Sequence, residues 1–131
     1  MANTVSKIIL FGAPNFKEEW REAERYAEFK EMGQKGFIEF ALKNGKVIQF
    51  SKIKSKGLGN FDPNFDKLNP DKKKRFFKAF AGGKIEMSIF IKWNSSQHEM
   101  MAGNTRVSGL NMLGIDPPIW CIDMAVLGNK Y

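Results

Sequence analysis

The stretch HEMMAGNTRVSGLNMLGIDPP, residues 98–118, constrains the fold more tightly than any other part of the chain. An apolar run meets Gly103, and within two residues an apolar pattern at helical spacing begins. That change of period predicts a strand turning directly into a helix. Gly114 supplies a stop for the helix, and Pro117-Pro118 open a further apolar run, a final strand over 117–126. A strand, a helix and a strand in such close succession require a layered fold of both element types. The junction also places Arg106 in the first helical turn, where the dipole disfavours a cation. An anion at the helix N-terminus would resolve the conflict. Gly103 lets the backbone approach closely, the first-turn N–H groups need acceptors, and the guanidinium fork of Arg106 suits phosphate oxygens. Asn104 or Thr105 caps the helix when no anion is there. The plainer alternative is a capped helix whose arginine points to solvent.

The rest of the chain supplies partners for this unit. SKIILFG, residues 6–12, predicts a short buried strand closed by Gly12 and Pro14. Asn15 is a plausible N-cap for a helix over 16–32, with Glu18 and Glu19 in its first turn and Gly33 at its end. Asn44-Gly45, between FIEFALK and KVIQFSKI, predicts a hairpin with a type I′ turn. The Gly-, Asn- and Pro-rich residues that follow predict a loop. Asn69-Pro70 then starts a helix that runs to about Phe80. Phe76, Phe77 and Phe80 form its apolar stripe, with Lys72, Lys73, Lys74, Arg75 and Lys78 around it. IEMSIFIKW and HEMMA predict two strands joined by the turn NSSQ.

A length of 131 residues suits one domain with a real core. The net charge of +7 favours a polyanionic partner, nucleic acid first and nucleotides second, unless it serves only solubility. Basic residues dominate over 43–92, which predicts one positive face. No run is apolar enough to span a membrane, and the N-terminal apolar run is too short for a secretory signal. A single cysteine, Cys121, excludes an internal disulfide or a multi-cysteine zinc cage, and it reads as a buried structural thiol. The expected setting is the cytoplasm, the host's if a phage encodes the chain.

The order strand, Gly103-Asn104-Thr105-Arg106, amphipathic helix, Leu113-Gly114-Ile115, Pro and strand resembles the ParB/sulfiredoxin-like domains. KIEMSIFIKWNSSQHEMM resembles their paired strands upstream of the motif, and DKLNPDKKKRFFKAFAGG the helix before them. The resemblance covers roughly residues 60–126. It implies an α/β (α+β) single domain with a small mixed sheet, in which 59–131 form the core and 1–58 a strand–helix–hairpin extension. It also implies that Gly103, Asn104, Thr105 and Arg106 bind nucleotide phosphates. Where sulfiredoxins carry a catalytic cysteine after the glycine, this chain has Asn104, so sulfinic acid reduction is not expected. Thr105 replaces the second arginine of the partition proteins. The serine kinases of this fold carry His, Thr and Arg after the glycine, and Gly-Asn-Thr-Arg comes nearest to them.

Phosphotransfer needs a carboxylate near the phosphates to orient the nucleophile or hold Mg²⁺. Chain order nominates Asp62, Asp66 and Glu99, against the plainer reading of Asp62 and Asp66 as turn and helix-start residues. Glu99 and Met101 should share one strand face, with Met100 and Ala102 on the other, and only one face is expected to meet the core. His98 is the sole histidine, a candidate base or, at a turn, a solvated side chain. No lysine-bearing phosphate loop, no His/Cys metal spacing and no Ser/His/Asp arrangement is present. The expectation is therefore a protein that binds ATP or another nucleotide, with or without Mg²⁺. It would act as a phosphotransferase or nucleotide hydrolase on or near DNA. The alternatives are a ParB-like nuclease and a non-catalytic DNA-binding module using Lys72, Lys73, Lys74 and Arg75.

Overall fold

The computed structural model describes residues 8–54 and 57–128. The elements run β1 (Leu10–Gly12), α1 (Trp20–Ala23), α2 (Ala27–Asn44), β2 (Gly45–Gln49), β3 (Gly57–Gly59), α3 (Pro70–Gly82) and β4 (Lys84–Glu86), followed by β5 (Ile89–Asn94), β6 (Gln97–Ala102), α4 (Asn104–Met112) and β7 (Pro118–Asp123). This is an α+β domain. Its main sheet has the order β2-β7-β5-β6-β3, and β1 and β4 form a separate parallel pair. The sheet is mixed: β2–β7 and β5–β6 are antiparallel, whereas β5–β7 and β3–β6 are parallel.

Both faces of the sheet are covered. On one side Ile89 and Ile91 of β5, Met101 of β6 and Ile122 of β7 pack with Phe16, Phe29, Phe37 and Ala41. On the other, Phe90, Met100 and Ile119 pack with Val107 of α4 and with Phe50 and Ile53. The period-2 alternation of β5 is thus buried in both directions, and the expectation that only one face of HEMMA meets the core is overturned. His98 follows: it is 3% exposed, because β3 lies alongside β6 and pairs Leu58 with it. A third cluster joins Phe65, Phe76, Ile85 and Leu110 beneath α3 and α4.

The Asn44-Gly45 hairpin does not form. Residues 37–44 are the end of α2, and Gly45 has φ −106°, outside the left-handed region that a type I′ turn needs. Phe37 and Ala41 are fully buried at i, i+4, whereas a strand would place exposed Glu39 on their face. Burial of Phe29 and Phe37, whose ring centroids lie 4.9 Å apart, stabilises the fold by roughly 1.5–3 kcal/mol each. The partner of β2 is β7 instead, and the Trp120 indole of β7 donates to the Ala41 carbonyl at 3.0 Å.

Smaller differences have equally local causes. Asn15 caps a first helical turn, its side-chain oxygen accepting from the Glu18 N–H at 3.1 Å, but the helix over 16–32 is interrupted between Ala23 and Ala27. Gly33, at φ 77°, then breaks α2 into two helical runs. IEMSIFIKW divides into β4, which pairs with β1, and β5, which lies in the main sheet. The strand expected at 6–12 is not buried: Leu10 is exposed, while Ile9 and Phe11 reach the third cluster. Ser6 and Lys7 lie outside the described residues. The helix from Asn69-Pro70 forms as expected, with the Asn69 side chain accepting from the Asp71 and Lys72 N–H groups.

Candidate functional site

β6 ends at Ala102, and Gly103 turns the chain into α4 with φ 94°. The turn is packed as well as bent. Ser88 Oγ donates to the Gly103 carbonyl at 2.7 Å, and a Cβ on residue 103 would lie 2.4 Å from that oxygen. Gly103 is thus required by its backbone angle and by close approach of the chain's own Ser88.

The N-cap of α4 is Gly103, and no side-chain hydrogen bond from a described residue caps the helix, contrary to the expectation for Asn104 or Thr105. Asn104 is committed elsewhere: its Oδ1 accepts from the Asp62 N–H and its Nδ2 donates to the Asp62 carbonyl, both at 2.8 Å. This pair pins the loop after β3 to the start of α4. Arg106 lies across the chain rather than in solvent. It donates to the Glu86 carbonyl at 3.1 Å and to Glu19 Oε2 at 3.1 Å, and its side chain is 24% exposed against 19% for Glu19. The Glu86 carboxylate stands 3.9 Å away. The anion that offsets the helix dipole at Arg106 is therefore supplied by the protein.

An open cavity of about 560 Å³ lies in front of this junction. One wall is α1 and the turn after it, with Glu19, Glu22, Arg25 and Tyr26. The facing wall is α3, with Lys72, Arg75, Phe76 and Ala79, and the floor is the end of β6 with residues 103–106. All four expected phosphate-binding residues, Gly103, Asn104, Thr105 and Arg106, line it. So do Lys72 and Arg75, which form no ion pair with any described residue. Arg25 is paired with Glu22 at 2.8 Å.

The nominated carboxylates stand apart from the lining. Asp62 is at the edge, where its backbone meets Asn104 and its carboxylate accepts from the Asn64 N–H at 2.9 Å. Asp66 is exposed on a short 3₁₀ turn, and its carbonyl accepts from Lys73 Nζ at 3.0 Å. That bond, with the Phe65 ring 6.0 Å from the ammonium, turns Lys73 away from the cavity. Glu99 sits behind the wall with both oxygens occupied: Trp93 Nε1 donates at 2.8 Å, the Tyr26 hydroxyl at 2.7 Å, and Asn60 Nδ2 donates to the same oxygen as Tyr26. Burial first, then the hydrogen bond and charge of Glu99, hold the Tyr26 hydroxyl far above the ordinary tyrosine range. Burial likewise pushes the Cys121 thiol up to about 11, as befits a structural thiol.

Comparison with family models, with curated proteins and with solved structures returns no match. Glu22, Arg25, Tyr26 and Asn60 are lining residues that sequence reasoning did not single out, and Glu19 was read there only as a first-turn helix residue. Glu19, Glu22 and Tyr26 recur at helical spacing, a pattern compatible with one helix face, but nothing local tells a core stripe from a cavity wall. Among the described residues no group of three or more His, Cys, Asp or Glu side chains could hold a metal ion. No helix among the described residues is long and apolar enough to cross a membrane.

Proposed function

We propose that the cavity between α1, α3 and the start of α4 binds the phosphates of a nucleotide. One observation carries this reading: the first turn of nine-residue α4, with no side-chain cap among the described residues, lines the same space as Lys72 and Arg75, cations with no ion pair to a described residue. First-turn N–H groups and two converging cations are the donors that a phosphate group needs. A volume of about 560 Å³ is in the range of small-molecule sites. The resemblance of the strand–Gly103–Arg106–helix order to ParB/sulfiredoxin-like domains supports the same assignment, with one change of roles. Lys72 and Arg75 meet the phosphates, while Arg106 braces the junction through Glu19.

Binding, rather than turnover, is the function this geometry supports. The lining carboxylates Glu19 and Glu22 are each engaged by an arginine, and Asp62, Asp66 and Glu99 do not line the cavity. A cytoplasmic setting accords with a nucleotide ligand and with a buried free thiol.

The test is a thermal-shift and calorimetric screen of ATP, ADP, CTP and GTP, with and without Mg²⁺. A nucleotide at a hundredfold its dissociation constant adds about 2.7 kcal/mol of stability. The Lys72→Gln, Arg75→Gln double variant should lose that shift while its ligand-free Tm stays within a few degrees of wild type. No shift with any of the four at millimolar concentration would overturn the reading. Nucleotide consumption by wild type would restore the enzymatic alternative and direct attention to Glu22.

A further inference from the structure

We propose that the occupant of this cavity is the phosphorylated end of a single nucleic-acid strand, held by its terminal phosphate in the cavity and by its next phosphates along the outer face of α3. The inference rests on the phosphate reading of the cavity and adds what lies on either side of it.

The cavity is electrically lopsided. Its α3 wall carries Lys72 and Arg75, which form no ion pair with a described residue, whereas on its α1 wall Glu19 and Glu22 are each paired with an arginine, Arg106 and Arg25. A polyanion is drawn to the α3 wall and gains little at the α1 wall, whose charges are already paired. The strand follows the cations of α3 inward and ends where they end, in the cavity.

The positive charge does not stop at the rim. On a helix of 3.6 residues per turn, Lys72, Arg75, Phe76 and Ala79 share the cavity face, and Arg75 stands at its border with the face that carries Lys74 and Lys78. Lys74 and Lys78 are exposed and form no ion pair with a described residue. They lie one turn apart, about 6 Å along the axis, on the side of α3 away from its Phe76 and Phe80 core contacts. The cations therefore run unbroken from inside the cavity around the helix. A free mononucleotide would leave Lys74 and Lys78 unused. An attached chain of phosphates would engage them and release the counterions they otherwise face. One strand suits the space, because a cavity of about 560 Å³ admits a single terminal nucleotide and not a base-paired end.

Fluorescence anisotropy with short single-stranded oligonucleotides, labelled at the far end, tests this. Strands ending in a 5′-phosphate, a 3′-phosphate or hydroxyls only are compared, with ATP as competitor. One phosphate-ended strand should bind about tenfold more tightly than the hydroxyl-ended one, since one doubly charged group gains charge-assisted hydrogen bonds. Lys74→Gln with Lys78→Gln should weaken strand binding and flatten its log–log salt slope by about 1.4, at 0.7 per phosphate, while leaving ATP affinity unchanged. Equal binding of phosphate and hydroxyl ends would overturn the proposal, as would a strand affinity indifferent to Lys74 and Lys78. In both cases retained ATP binding would leave the nucleotide site standing. A poly-glutamate peptide competing as well as the phosphorylated strand would also overturn it. Absence of both ATP and strand binding would remove the proposal and the nucleotide site together.

Discussion

At Gly103 two demands fall on one position: a left-handed backbone and the van der Waals surface of Ser88. Gly103→Ala violates both, so it should cost about 1–3 kcal/mol through the backbone alone, with the Ser88 contact added. A lowered midpoint in urea denaturation would register this, and an unchanged midpoint would show that the turn relaxes freely. In the Gly103→Ala background, Ser88→Gly should recover little of the loss, because it removes the Ser88 clash but leaves the backbone angle and forfeits the Ser88 hydrogen bond to the residue 103 carbonyl. Arg106 makes the companion point. Its neighbours at Gly103 and Asn104 in sequence suggest a phosphate ligand, but its partner Glu19 lies 87 residues away. The residue could be read from the junction, whereas its counter-ion could not.

Between elements, the carboxylate of Glu99 acts as a clamp, joining β6 to Trp93 of β5, to Asn60 just beyond β3 and to Tyr26 before α2. The clamp has a pH signature. In the folded protein burial, followed by Glu99, keeps Tyr26 protonated where an unfolded tyrosine ionises; Asn60 and Arg25 oppose this more weakly. The folded value is raised, so the contribution is complete below the unfolded value of about 10 and is lost as the pH climbs beyond it. Urea titrations at about pH 9 and pH 11 should therefore show wild type losing more stability than Tyr26→Phe, which has no hydroxyl to titrate. Parallel losses would place Tyr26 in water. The same comparison of elements explains what was legible. Asn69 and Pro70 start α3 by local chemistry, and the helix begins where they put it. Asn44-Gly45 is an equally strong local signal for a hairpin, but burial of Phe37 and Ala41 against β5 and β7 overrides it. The cavity divides in the same way: residues 103–106 and the α3 cations were visible as a junction and a charge run, while the α1 wall arrives only through tertiary packing.

Across the whole molecule, no line at residue 58 separates an extension from a core. β1 pairs with β4, β2 with β7, and Phe16, Phe29 and Phe37 share a cluster with Ile89, Ile91 and Ile122. A fragment of residues 59–131 would expose one entire face of the sheet and leave β7 as an edge. It should show no cooperative thermal transition and should bind a dye for exposed apolar surface, as expanded states do. A sharp transition in that fragment, seen by calorimetry, would instead establish an autonomous core.

The place of β7 in the sheet, between β2 and β5, bears on the order in which the chain can acquire its structure. A ribosome delivers β2 and the apolar faces of α2 long before residues 118–123, which are the strand that receives β2 and flanks β5. Until then β2 has no partner, and Phe29, Phe37 and Ala41 lack Ile122. Among the described pairings only the β5–β6 hairpin closes over a short loop; the others wait on loops spanning tens of residues, whose entropy must be overcome first. Synthesis therefore passes through a long interval in which an unpaired strand and a phenylalanine-rich helix are exposed together. That is the interval in which self-association would compete with folding and a holding chaperone would find its binding surface.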